Sequence, residues 1–163
     1  LSGTNMAVLW LDLWRGTIEC VPTDNKMTWC WAVLKDQCRW EEHGHAVGAY
    51  KPYLPGSFNV TPRDPSLHAN SWYKATKYIT WIYSLCPALL FQVLPQNIWR
   101  NFCKFVAGFH IMGQYSITPA QLKLARNYLA KWEYEFKQIH YQRCIDQIHF
   151  ICPCVHLSNH HIP

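Results

Sequence analysis

Charge is scarce in this chain. Only 15% of its 163 residues are Asp, Glu, Lys or Arg, and no two Lys or Arg are adjacent. That excludes the polybasic arms and charge blocks that bind nucleic acid or membrane surfaces as disordered tails. The net charge of +5 is compatible with a nucleic-acid partner without diagnosing one. No glycine-rich phosphate loop and no nucleophile signature occur, so P-loop, dinucleotide-binding and hydrolase chemistries have no starting point. Cys-x-x-Cys is absent, which removes the usual thiolate half of a structural zinc site. Strand signals are also weak: no sustained alternation is bounded by Gly or Asn-Gly turns. Internal repeats and low-complexity stretches are missing. The few carboxylates are scattered, with Glu133 and Glu135 on different sides of their segment, Glu41 and Glu42 likewise, and Asp12 alone, so no acid–base or two-metal pair assembles.

Apolar and aromatic residues are abundant. Half the residues are hydrophobic, 15% are aromatic and nine are Trp, which favours a packed interior over disorder. The length suggests one domain, spanning 1–163, that buries roughly 70% of the surface its unfolded chain exposes. The eight cysteines are dispersed, unlike a small disulfide scaffold, so reduced and mostly buried thiols in an intracellular protein are expected. The opening LSGTNMAVLWLDLWRG has no basic region before an apolar stretch and therefore no signal-peptide pattern. The start at Leu1 and the end at Pro163 suggest a fragment.

Periodicity points to an all-α domain of about six helices. Residues 23–47 read as helical, with Trp29, Val33, Cys38 and Trp40 roughly on one side, Asp24 as N-cap and Gly44 or Gly48 as the stop. Four prolines make residues 51–70 an extended surface connection. The apolar stretch 78–99 approaches the length of a membrane span, but Pro87 and Pro95 with Gln92, Gln96 and Asn97 favour two buried helices broken at Cys86-Pro87, and no membrane association. Pro95 starts a helix with Ile98, Phe102, Phe105 or Val106, and Phe109 inward and Arg100 and Lys104 outward.

The clearest helix begins at Thr118-Pro119, where Thr118 and Gln121 form a capping box. Its stripe of Leu122, Ala125, Leu129, Trp132, Phe136 and Ile139 faces a core, while Lys123, Arg126 and Lys131 stay off it. A last helix is expected from Asp146, as cap, to about His161, with Ile148 and Val155 inward. In the tail CPCVHLSNHHIP, His156 and His160 are four apart, which on a helix places both imidazoles where they can share a zinc. Cys152 and Cys154 could complete that site only from a loop.

Several consecutive stretches carry a family resemblance: PTDNKMTWCWAVL, RWEEHGHAVGAYKPYLPGSF, YKATKYITWIYSLCPALLFQVLP, IWRNFCKFVAGFHIM, SITPAQLKLA, WEYEFKQIHYQR and IHFICPCVHLSNH. Their order and spacing resemble transposase-derived proteins of mushroom-forming fungi, related to the CACTA (En/Spm-type) cut-and-paste DNA transposases. YLPGSF, WRNFCK and the closing His-x-x-x-His are the most specific parts. The resemblance implies the helical insertion of an RNase H-like catalytic core whose three carboxylates, all outside this stretch, bind two divalent ions. It also implies a zinc held by His156 and His160 together with a Cys pair from earlier in the intact protein. Further implications are transposon-end DNA as partner, met through Arg100, Lys104, Lys123, Arg126 and Lys131, a nuclear setting, room for a homo-oligomer, and no catalysis by this stretch alone. Cys144, Cys152 and His110 stand where relatives tend to carry Arg, the changes expected of a decaying or domesticated copy.

Overall fold

A computed structural model describes residues 2–56, 61–67, 75–142, 144–151 and 155, and among them every regular element is helical, with no strand. The α-helical segments are α1 (Ser2–Arg15), α2 (Gln37–Ala49), α3 (Ala75–Thr80), α4 (Cys86–Leu89), α5 (Gln96–Met112) and α6 (Pro119–Phe136). A π-helical stretch, Trp81–Leu85, joins α3 to α4 without interruption. The described residues therefore contain five helical rods.

The chain divides into two compact units, one from Gly3–Ile18 and Thr28–Leu94, the other from Glu19–Met27 and the residues from Pro95 onward.

In the first unit, α1 buries Met6, Trp10, Leu13 and Trp14, the three- and four-residue recurrence of a helix face. Trp10 and Trp14 stack with centroids 5.7 Å apart. Gly16, at φ +64°, ends the helix: its N–H donates to the Leu13 carbonyl and the Thr17 N–H donates to that of Asp12, at 3.1 and 2.9 Å. This paired termination needs a left-handed residue, which glycine adopts without a Cβ penalty.

The helix expected over 23–47 is shorter and starts later. Lys26–Thr28 is a single 3-10 turn, and α2 begins only after Asp36, whose carboxylate accepts the Arg39 N–H at 3.0 Å. Asp36, not Asp24, is the N-cap. Trp29 and Trp31 stack across a turn at 5.6 Å and both are buried, an arrangement a helix would not give residues two apart. Gly44 and Gly48 lie inside α2 rather than after it. The expected connection at 51–70 is partly structured: Lys51–Tyr53 forms a 3-10 turn, and Pro62 and Pro65 are buried, not on the surface.

The break expected at Cys86-Pro87 is absent. Proline lacks an N–H and its ring crowds the carbonyl four residues back, and the chain accommodates both by widening to a π turn, in which the Cys86 N–H reaches the Trp81 carbonyl. No helix among the described residues is long and apolar enough to cross a membrane.

In the second unit, α5 and α6 form an antiparallel hairpin through residues 113–118. Thr118 and Gln121 make the full capping box with Pro119 in the first turn. Ala125, Leu129, Trp132 and Phe136 of α6 are buried, as are Ile98, Phe102, Phe105 and Val106 of α5. Burying Leu129 or Phe136 stabilises the fold by about 1.5–3 kcal/mol each. Phe105 meets Trp132 at 4.6 Å, and Asn101 Nδ2 donates to the Trp132 carbonyl at 2.9 Å.

The hairpin is followed by a π turn, Lys137–Tyr141, and a 3-10 stretch, Ile145–Phe150. The α-helix expected from Asp146 is thus a 3-10 helix at its start. Its three-residue period aligns buried Gln147 with buried Phe150 and leaves Ile148 exposed, not inward. Asp146 is not the cap, because it lies within the first turn and accepts the Thr23 hydroxyl at 2.8 Å. Val155 is buried, as expected.

Candidate nucleic-acid interface

A helix that packs along one stripe leaves its opposite side for solvent. On α6 the buried residues recur at 125, 129, 132 and 136, and at about 100° per residue Lys123 and Lys131 fall on the opposite half and Arg126 on the flank of the stripe. All three are exposed. Arg100 is likewise exposed on α5, away from Ile98, Asn101, Phe102 and Phe105.

Lys104 is different. Its Nζ donates to both carboxylate oxygens of Glu135 at 2.5 Å, and both side chains are about one-third exposed. This pair clamps α5 to α6, and its charge is spent within the fold, so the outward role expected of Lys104 is replaced by a structural one. Glu133, the other hairpin carboxylate, accepts from Lys137 at 2.6 Å. Over Gln96–Phe136 the balance is five cations (Arg100, Lys104, Lys123, Arg126, Lys131) against Glu133 and Glu135, 5 − 2 = +3.

A further sequence signal strengthens this patch. No Asp or Glu occurs between Asp64 and Glu133, so most of the hairpin presents cations with no carboxylate interleaved. Scanning for runs of Lys or Arg misses such a region, because the feature is the missing opposite charge.

The buried titratable groups are neutral and structural. His140 is fully buried, and burial lowers its pKa to about 3. His43 accepts from Trp81 Nε1 at 3.1 Å through Nε2, and burial lowers its pKa to about 4 against the opposing pull of Asp64. The expectation of mostly buried cysteines fails for the described ones: Cys86 is buried, Cys20 and Cys103 are half-buried, and Cys30, Cys38 and Cys144 are exposed, all as free thiols. Burial raises the Cys86 pKa, and that of Cys103 to about 11. The carboxylate of Glu42 raises that of Cys38. These three thiols are thus protonated at neutral pH and poor nucleophiles or ligands.

His156, His160, Cys152 and Cys154 lie outside the described residues. Among the described residues no group of three or more His, Cys, Asp or Glu is placed to hold a metal ion. Compared with known proteins, the chain matches no protein-family profile, no curated protein and no solved structure.

Proposed function

We propose that this chain is the helical insertion of a cut-and-paste DNA transposase related to the CACTA elements, and that it contacts DNA through the outward cations of α5 and α6. The observation that carries the reading is the charge arrangement of the hairpin. Arg100, Lys123, Arg126 and Lys131 are exposed, while Lys104 and Lys137 engage the hairpin's two carboxylates. The sequence resemblance supports it independently.

Exposed Arg and Lys on rigid helices neutralise backbone phosphates and release counterions. Four such contacts give a log–log dependence of affinity on salt of about −3.6. Duplex binding measured from low to moderate salt tests this, and binding that ignores salt, or is absent at low salt, leaves the reading without support.

In the intact protein His156 and His160 would supply two zinc ligands and a Cys pair from outside this chain the other two. Catalysis belongs to carboxylates also outside it. Zinc titration followed by thermal unfolding tests the shared site. The chain extended to include a Cys-x-x-Cys should gain stability with zinc, the present chain should not, and stabilisation of both would reassign the ligands.

A further inference from the structure

The first unit holds a cleft of about 390 Å³ that the hairpin reading does not use. Ligand pockets typically run from about 300 to 1,000 Å³, so the cleft suits a small molecule. One wall is a face of α2, where Arg39, Glu42, His43 and Ala46 recur at the three- and four-residue steps that put side chains on one side of a helix. Apolar Leu34, Leu89 and Val93 line the cleft as well, the last two from the end of α4 and the turn after it.

His43 gives the cleft a fixed donor. The residue is only 7% exposed, and its ring is stacked on Trp40 at 6.2 Å and tilted against Trp81 at 5.8 Å. Its structural role uses Nε2 alone, which accepts from Trp81 Nε1 at 3.1 Å. An indole N–H only donates, so Nε2 is the bare nitrogen of the neutral imidazole and the proton sits on Nδ1. Among the described residues nothing accepts that proton. Buried donors are normally satisfied, so an N–H left over on a ring that lines a cleft points to an acceptor supplied by a ligand.

Arg39 and Glu42 add one cation and one anion, three residues apart on the same face and therefore neighbours. Both are exposed. The Asp36 cap takes the Arg39 backbone N–H and not its guanidinium, and the Glu42 carboxylate accepts the weak Cys38 thiol donor at 3.8 Å. The ion pairs among the described residues are Lys104–Glu135 and Lys137–Glu133, so neither Arg39 nor Glu42 is engaged in one. A ligand that answers this lining carries a carboxylate, a cation close beside it and an apolar body. An α-amino acid has the first two on a single carbon.

We propose that this cleft binds a free α-amino acid with an apolar side chain. The Arg39 fork holds the two carboxylate oxygens, the His43 Nδ1–H donates to one of them, Glu42 pairs with the ammonium group, and the side chain lies against Leu34, Ala46, Leu89 and Val93.

The test is calorimetric titration of the whole chain with leucine, valine and phenylalanine, and with the amide and the deaminated analogue of each, which lack the carboxylate and the ammonium group. At least one of the three amino acids should bind saturably at a single site, and its two analogues about tenfold or more weakly. Arg39→Gln and Glu42→Gln, each confirmed as folded by circular dichroism, should each weaken the amino acid by a similar factor. Arg39→Gln should cost the amide nothing further, and Glu42→Gln should cost the deaminated analogue nothing further, because each analogue already lacks the contact removed. Failure of all three amino acids to bind, equal binding of an amino acid and either analogue, or equal affinity of the parent chain and either variant overturns the site.

Discussion

Two glycines one turn apart on α2 should respond oppositely to the same substitution. Replacing either Gly44 or Gly48 by Ala gains about 0.8–1 kcal/mol of helix propensity. At Gly48 the new methyl meets Asp64 Cβ and N at 3.5 Å, an ordinary van der Waals separation, so Gly48→Ala should stabilise by about 0.5–1 kcal/mol. At Gly44 the methyl would lie 2.2 Å from Asp64 Oδ1, 2.7 Å from Ser66 Oγ and 2.8 Å from Ser66 Cβ. The turn in which Asp64 Oδ1 accepts the Ser66 N–H at 2.8 Å and the Ser66 hydroxyl at 2.6 Å must move away, straining or breaking bonds to a charged acceptor worth about 1.5–3 kcal/mol each, on top of an overpacking cost of about 1–3 kcal/mol. With one of the two bonds lost and after the propensity gain, Gly44→Ala should destabilise by about 1.5–5 kcal/mol, which opens a gap of roughly 2–6 kcal/mol between the variants. Urea unfolding followed by tryptophan fluorescence measures it, since the first unit buries Trp10, Trp14, Trp31 and Trp81. Equal midpoints for the two variants would refute the docking of the Asp64 turn on α2.

Further outcomes follow from burial and charge. Burial depresses His43 to about 4 and His140 to about 3, against about 6.5 in the unfolded chain. The unfolded state therefore takes up protons first, and the stability these imidazoles contribute is present above about pH 6.5 and is lost as pH falls toward 4 and 3. Each adds a slope of up to about 1.4 kcal/mol per pH unit in that window. Unfolding free energies from pH 7 to 4.5 should show it, His140→Gln should flatten it, and an unchanged slope contradicts the assignment. Lys104→Ala should lower stability by up to about 1 kcal/mol with no change in duplex affinity. A loss of affinity instead would return Lys104 to the interface.

Local signals were legible where the answer was itself local. The α6 start is written in Thr118, Pro119 and Gln121, and its core stripe was readable because Ala125, Leu129, Trp132 and Phe136 keep three- and four-residue spacing. Where two residues offered the same signal, the sequence could not choose. Asp24 and Asp36 are both plausible caps, and Trp29 and Trp31 suit a helix by composition while packing across a turn. The α1 helix carries a local signal of the same kind: Met6, Trp10 and Leu13 are helically spaced, and Gly16 marks the stop.

Long-range pairing was the least legible. Nothing near Lys104 in the chain announces Glu135, 31 residues away, as its partner, so its exposure could not be judged from helical position. Likewise Asp64 and Ser66 in a proline-rich segment gave no sign of packing on Gly44 of α2, 20 residues and more away in the chain. The π turn before Pro87 shows another limit. Proline predicts a broken hydrogen bond, but a helix can answer by ending or by widening, and the surrounding packing selects between them.

The central claim is that the outward cations of α5 and α6 contact DNA phosphates. The most direct measurement is duplex affinity as a function of salt for the chain and for a Lys123→Glu, Arg126→Glu, Lys131→Glu variant of equal stability. The account predicts a log–log slope near −3.6 that becomes shallower by about 2.7, with at least a tenfold loss of affinity at low salt. A slope and affinity unchanged by reversing all three charges would contradict it.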